Sequence, residues 1–248
     1  MTEHIFDILG IGNREDSYTD LIAHSFATSS SFGENILEML GMPDYDDWIT
    51  RTRLPVAIKS KVGRKKDVPD LLLISKKGNK IVLIESKVHS NEGWGQTERY
   101  ASNEFKESLL HYLHKNELLE SQTSDVKFFY LTLDGDEPSS NEFNILKYSD
   151  IANCIPRNLG NSKRDILLQE LKERIEEYYS WQQPTNDEVI IEYLKKAERL
   201  VTPYKAFRTM ADNLSVGDGE FNKYFHISAN LGCSDIPLCL WNKETWVS

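Results

Sequence analysis

The sequence predicts an α/β protein: a mixed sheet flanked by helices, followed by a mostly helical C-terminal lobe. Three observations carry this. Residues 68–74 and 81–88 are apolar, partly β-branched runs joined by Ser75-Lys76-Lys77-Gly78-Asn79-Lys80, a turn-rich connection that reads as a hairpin. Residues 126–133 form another buried-strand pattern, and a helical stretch from about Gly95 to Glu120 separates the two. A crossover of that length places two strands parallel. From about residue 149 helical periodicity takes over.

Taken in order, residues 16–28 set Tyr18, Leu21, Ile22, Ser25 and Phe26 at helical spacing. Asn13 precedes them, and Glu15 and Asp16 suit a first helical turn. A short helix is expected over 33–41, stopped by Gly41-Met42-Pro43. Extended chain follows over 48–57, then the hairpin, the long helix, the buried strand and a short strand at 143–148. Helices are expected at 149–154, 163–181 and 185–213. The tail, 220–248, is mixed and ends in a strand-like PLCLWNKETWVS with no evident partner. The expected division is a core domain over 1–148 and a helical extension over 149–248 packed on it.

Composition narrows the class. At 248 residues, with 40% hydrophobic and 27% charged, the chain is long enough for a sizeable core and is neither disordered nor collagen-like. It has no apolar run long enough to span a membrane. The start MTEHIFDILG lacks a basic-then-apolar leader, so a cytoplasmic location is expected. Cys154, Cys233 and Cys239 form no C-x-x-C, which argues against a disulfide framework and against a zinc site. A net charge of −10 argues against nucleic acid as a partner, but the charge is uneven. Residues 51–66 carry seven basic residues and no acid, a local +7 that leaves −17 elsewhere. Such a block either contacts phosphates or protects an exposed strand edge.

The chemistry sits in Pro69-Asp70 and Glu85-Ser86-Lys87. Glu85 and Lys87 are two apart on one strand and share a face, interrupting an apolar run. Charge there is costly unless paired or bound to metal. If residues 76–79 form the hairpin loop, Ser75 pairs with Lys80 and Asp70 lies opposite Glu85. Two carboxylates so placed repel unless a cation lies between them, and an all-oxygen set favours Mg²⁺ or Mn²⁺. Lys87 beside them is suited to help deprotonate an attacking water or to stabilise a phosphorane-like transition state.

This pattern resembles the PD-(D/E)XK nuclease superfamily, over about residues 10 to 150. Asn13-Arg14-Glu15-Asp16-Ser17-Tyr18 is similar to its first core helix, which makes Glu15 the match for a glutamate near the metal. Gln96-Thr97-Glu98-Arg99-Tyr100 resembles the Q-x-x-x-Y element of RecB-type nucleases. Residues 143–148 with the following helix resemble a poorly characterised bacterial and phage branch. The resemblance implies a restriction-endonuclease-like αβββαβ core and Mg²⁺-dependent hydrolysis of double- or single-stranded DNA, with Mn²⁺ as substitute. Asp70, Glu85 and the carbonyl of Ser86 would hold the ion, and Lys87 would act on the water. Gln96 would position that water or the phosphate, beside Tyr100. Arg64, Lys65 and Lys66 would grip the DNA backbone, and the C-terminal lobe would shape the groove or mediate homodimerisation.

Plainer readings exist for each piece. Asp70 fits a turn after Pro69, and Glu85–Lys87 fits a surface ion pair. Glu15 also suits the helix dipole, and Gln96 with Tyr100 suits a helix-face pair. Trp94, between Gly93 and Gly95, belongs either on a base, along the cleft or in the core. His89 reads as a solvated loop residue, and Gly10-Ile11-Gly12 is no nucleotide fingerprint. The alternative function is a catalytically silent nuclease fold that binds nucleic acid or protein.

Overall fold

The computed structural model describes residues 4–181 except 13, 43–46, 61–62, 89, 122–123 and 134, together with 225–227 and 240–242. Within helices and strands, the side chains of 59–60, 63–65, 180–181, 225–227 and 240–242 are also excluded. The chain divides into two compact units, Met1–Ile175 and Glu176–Ser248.

A short helix α1 (Ile5–Ile8) precedes α2 (Glu15–Thr28) and α3 (Ser30–Met39). Helix α2 buries Tyr18, Thr19, Ile22, Ala23, Ser25 and Phe26, the face its spacing predicts except that Leu21 is only half-buried. Strands β1 (Trp48–Thr52), β4 (Leu71–Ser75), β5 (Lys80–Lys87), β6 (Asp125–Thr132) and β7 (Phe143–Lys147) form one sheet in the order β1-β4-β5-β6-β7. Strand β4 is antiparallel to β1 and β5, whereas β6 is parallel to β5 and β7 to β6. The sheet is therefore mixed, as expected. Its middle is near-continuous aliphatic and aromatic chain because both faces are covered. Every residue of β4 is buried, as are residues 81–87 of β5.

Along β5 the side chains alternate. Ile81 and Leu83 join Leu72, Ile74, Phe128 and Tyr130 in a core closed by Phe105, Leu109 and Leu113. These last three belong to α5 (Asn103–Lys115). Helix α2 contacts β1 and β5, and α3 contacts both α2 and α6 (Tyr148–Cys154). Cys154 is a free, buried thiol whose pKa burial pushes up to about 12.

Two expectations need correction. The helical stretch after β5 is two helices, α4 (Gln96–Ala101) and α5, because Ser102 leaves the helix and caps α5 by accepting from the Phe105 amide at 3.2 Å. The extended chain over 48–57 is likewise not continuous. Arg53 turns at φ +48 after β1, and β2 (Val56–Ser60) pairs with β3 (Gly63–Asp67) as a separate two-stranded sheet. Val56 and Ile58 are buried and pack on α5, which gives this hairpin its own footing.

Helix α7 (Lys163–Trp181) follows α6. The expected helix at 185–213 lies outside the described residues. In the tail, β9 (Leu240–Asn242) finds its partner in β8 (Phe225–Ile227), antiparallel.

Candidate active site

The β4–β5 register runs from Ser75↔Lys80 to Leu71↔Ile84, as the loop length requires, and one further step brings Asp70 to the level of Glu85. Asp70 stands just outside β4. Pro69 has no N–H for a ladder, and the Asp70 carbonyl accepts instead from Arg53 N at 3.0 Å. Its carboxylate Oδ2 accepts from Ser86 N at 2.8 Å. Glu85 and Lys87 continue the face of Ile81 and Leu83 past the hydrophobic core.

Three carboxylates converge on one ammonium. Lys87 Nζ donates to Glu85 Oε1 at 2.5 Å and stands 3.5 Å from Glu15 Oε1 and 3.9 Å from Asp70 Oδ2. Glu15 is thus more than a helix-dipole acid. Its Oε2 accepts from Val88 N at 3.1 Å and from Ser90 Oγ at 2.9 Å, tying the start of α2 to the end of β5. Glu85 is wholly buried, and its Oε2 has no hydrogen-bond partner.

The electrostatics follow from that arithmetic. Burial, then the Asp70 charge, raises the Glu85 carboxyl to about 8. Burial also raises Asp70, although the Ser86 amide and Lys87 oppose it. Burial alone would lower Lys87, but Glu85, Asp70 and Glu15 outweigh it and hold the ammonium above its ordinary range. Burial is thus the larger cause for the two carboxyls, and the carboxylates crowded around Lys87 decide its direction.

The Q-x-x-x-Y pair closes one side. Gln96 Nε2 donates to the Tyr100 hydroxyl at 3.0 Å, and that hydroxyl donates to Val68 O at 3.0 Å, next to Pro69-Asp70. Gln96 makes no hydrogen bond to Asp70, Glu85 or Lys87. Burial pushes the Tyr100 hydroxyl well above the usual tyrosine range, so it serves as a neutral donor.

Three supports were not legible in the sequence. Ser86 faces the other side of the sheet, where its hydroxyl meets the Tyr148 hydroxyl at 2.7 Å. Glu92 accepts from Thr97 N and Oγ1 at 2.6 and 2.7 Å and from Ser139 N and Oγ at 2.7 and 2.8 Å. These bonds outweigh burial and hold its carboxyl below the usual range, joining the loops after β5 and β6. The third support is Arg174, buried in α7. It donates to Tyr18 and Asp7 at 2.7 Å each and to Gly12 O at 3.2 Å, seating the segment that leads into α2.

Gly12 has no room for a side chain: a Cβ would meet Arg174 Nη2 at 2.5 Å and Asp7 Oδ1 at 2.9 Å. Gly12→Ala should therefore cost about 1–3 kcal/mol through displaced buried hydrogen bonds. A urea-denaturation midpoint equal to that of the parent protein would contradict this.

The basic block is partly spent. Arg53 pairs with Asp20 at 2.6 Å and Asp16 at 3.3 Å on α2, so it is not a free cation. Lys66 is exposed, opposite Ala57. Arg64 and Lys65 belong to β3, but their side chains and His89 lie outside the described residues.

A family model of the PD-(D/E)XK nuclease superfamily matches residues 57–206. The chain belongs to the PD-(D/E)XK nuclease superfamily. The matched stretch includes Asp70, Glu85, Ser86, Lys87, Gln96 and Tyr100, whereas Glu15 precedes it and joins the site through the fold. The mixed five-stranded sheet is consistent with the superfamily's restriction-endonuclease-like architecture. No curated protein matches the chain, and no solved structure does. Among the described residues no helix is long and apolar enough to cross a membrane.

PD-(D/E)XK nucleases typically use Mg²⁺, and the donor set here fits a hard cation. It is all oxygen, carries surplus negative charge and includes one buried carboxylate oxygen with no partner. Among the described residues no three His, Cys, Asp or Glu side chains form a metal-holding group by themselves.

Proposed function

We propose that this chain is a Mg²⁺-dependent nuclease that hydrolyses the phosphodiester bonds of DNA. The observation that supports it is the cluster of Asp70, Glu85 and Glu15 around the single ammonium of Lys87. A stability role alone would be better served by matched charges or by apolar residues. Asp70 and Glu85 would hold the ion together with the backbone carbonyl of Ser86, and Mn²⁺ would substitute. Bound there, a divalent ion supplies Lewis acidity toward the phosphate and makes water a stronger nucleophile.

The protein's own groups do the rest. Lys87, already a donor to Glu85, places its ammonium where negative charge grows on the phosphoryl oxygens. Glu15 fixes the end of β5 and shares the lysine. Tyr100 anchors the Asp70 strand from the α4 side and holds Gln96, whose carboxamide orients water or phosphate. Arg64, Lys65 and Lys66 would contact the DNA backbone. With so few basic contacts on an acidic protein, binding should be weak and steeply salt-dependent.

The test is incubation of purified protein with linear, circular and single-stranded DNA in Mg²⁺ and in Mn²⁺, beside Asp70→Asn. Cleavage by the parent protein with loss of about a hundredfold or more in the variant is expected. Equal cleavage by both, or none by the parent with either ion, would refute hydrolysis and favour a silent binding module.

A further inference from the structure

Trp94 is 99% exposed, although it is the second residue of a tight turn at the edge of the site. Scattered surface apolar residues are ordinary; this one is held out by a built scaffold. Gly95 sits in the left-handed region at φ +56, a backbone state that favours glycine. Gln96 N donates to Gly93 O at 2.9 Å, and Gly93 N donates back to Gln96 Oε1 at 3.3 Å. The carbonyl of Trp94 accepts from Arg99 Nη1 at 2.5 Å, and Arg99 Nε is 3.4 Å from the buried carboxylate of Asp67. The turn is thus fixed from below while both faces of the indole stay open.

Its position matters as much as its exposure. Gln96, which clasps the turn, also donates to Tyr100, and Tyr100 reaches the carbonyl of Val68 beside Pro69-Asp70. One continuous set of hydrogen bonds therefore runs from the indole's backbone to the strand that holds the carboxylates. An open indole whose backbone is tied to the strand of the proposed site has the chemistry of a base platform.

We propose that Trp94 stacks on an unpaired nucleobase of the substrate strand next to the scissile phosphate. This rests on the nuclease reading above and adds a substrate class to it. A base inside a duplex has both faces covered by its neighbours, so the platform selects single strands, frayed ends or gaps over closed circular duplex. Stacking on an aromatic side chain is tolerant of base identity, so no sequence preference should arise from this contact.

The experiment titrates a 20-nucleotide single-stranded DNA into the full chain in EDTA, following tryptophan fluorescence and fluorescence anisotropy. Trp94→Phe and Trp94→Ala are run in parallel, and cleavage of single-stranded and circular DNA is measured in Mg²⁺. Because Trp94 touches little of the protein, both variants should melt with the parent. Expected are quenching in the parent that is lost in Trp94→Phe, and single-strand binding about tenfold weaker in Trp94→Ala and partly restored in Trp94→Phe. A parent that binds and cuts, with Trp94→Ala matching it on every DNA, overturns the stacking role and leaves hydrolysis standing. A parent that binds through Trp94 but never cuts overturns hydrolysis and leaves stacking standing. A parent that binds no single strand overturns stacking, and overturns hydrolysis with it only if it also cuts no DNA.

Discussion

Lys87→Met is expected to reduce DNA cleavage by roughly a hundredfold to a thousandfold, the usual effect of removing one donor aimed at developing charge. Methionine is one heavy atom shorter but keeps an unbranched apolar stem, and it removes the charge and the hydrogen bonds. The difficulty is that Lys87 also has a structural duty, since Glu85, Asp70 and Glu15 all share its ammonium. Removing one partner of a buried ion pair commonly destabilises a protein by about 3–5 kcal/mol. Lost activity therefore has to be separated from lost fold. Cleavage by Lys87→Met is measured well below its own melting temperature, where circular dichroism shows the native fold. Full cleavage by Lys87→Met under those conditions would remove Lys87 from the chemistry.

The second large effect is a pH dependence opposite to that of most carboxylates. Glu85 titrates near 4.5 when unfolded and near 8 in the native protein. Between those values the unfolded chain has lost the proton and the native chain still holds it. Native stability must therefore fall as pH rises through the window, by at most about 1.4 kcal/mol per pH unit for this one group. Asp70 shifts in the same direction and adds to the slope at its acidic end. An ion held as proposed would bind the deprotonated pair, so adding Mg²⁺ should reverse the trend and stabilise the native state more at pH 8 than at pH 5. Calorimetric melts at pH 5, 6.5 and 8, with EDTA or Mg²⁺, give the comparison, and Glu85→Gln should flatten both responses. A melting temperature that climbs with pH in EDTA, or a Mg²⁺ shift that survives in Glu85→Gln, would contradict the assignment.

Local sequence made parts of this legible. The hairpin register followed from a short loop of turn residues between two apolar runs, and it placed Asp70 opposite Glu85 before any contact was known. The parallel pair followed from the length of the helical stretch between β5 and β6. What stayed hidden was one local helix cap and a set of partners far apart in the chain. Ser102 reads as an acceptable polar helix residue, and only its cap on Phe105 reveals the break. Arg53 reads as a free cation until Asp20, on a different element, is brought beside it. Tyr148 and Ser86 are 62 residues apart, and Arg174 and Tyr18 are 156 apart. No periodicity encodes such pairs. The sole hint for Ser86 was its place between Glu85 and Lys87, which the alternation of a strand must turn to the opposite face.

The hairpin also bears on how the site is assembled. Asp70 and Glu85 meet across a short loop, a closure of low entropic cost that needs no other part of the chain. Strand β6 pairs with β5 beside Glu85, Ser86 and Lys87 only after the whole of α4 and α5 has been traversed. The register of the hairpin alone sets the two carboxylates side by side, where water would still screen them. Their burial, which raises both carboxyls, belongs to the closing of the sheet.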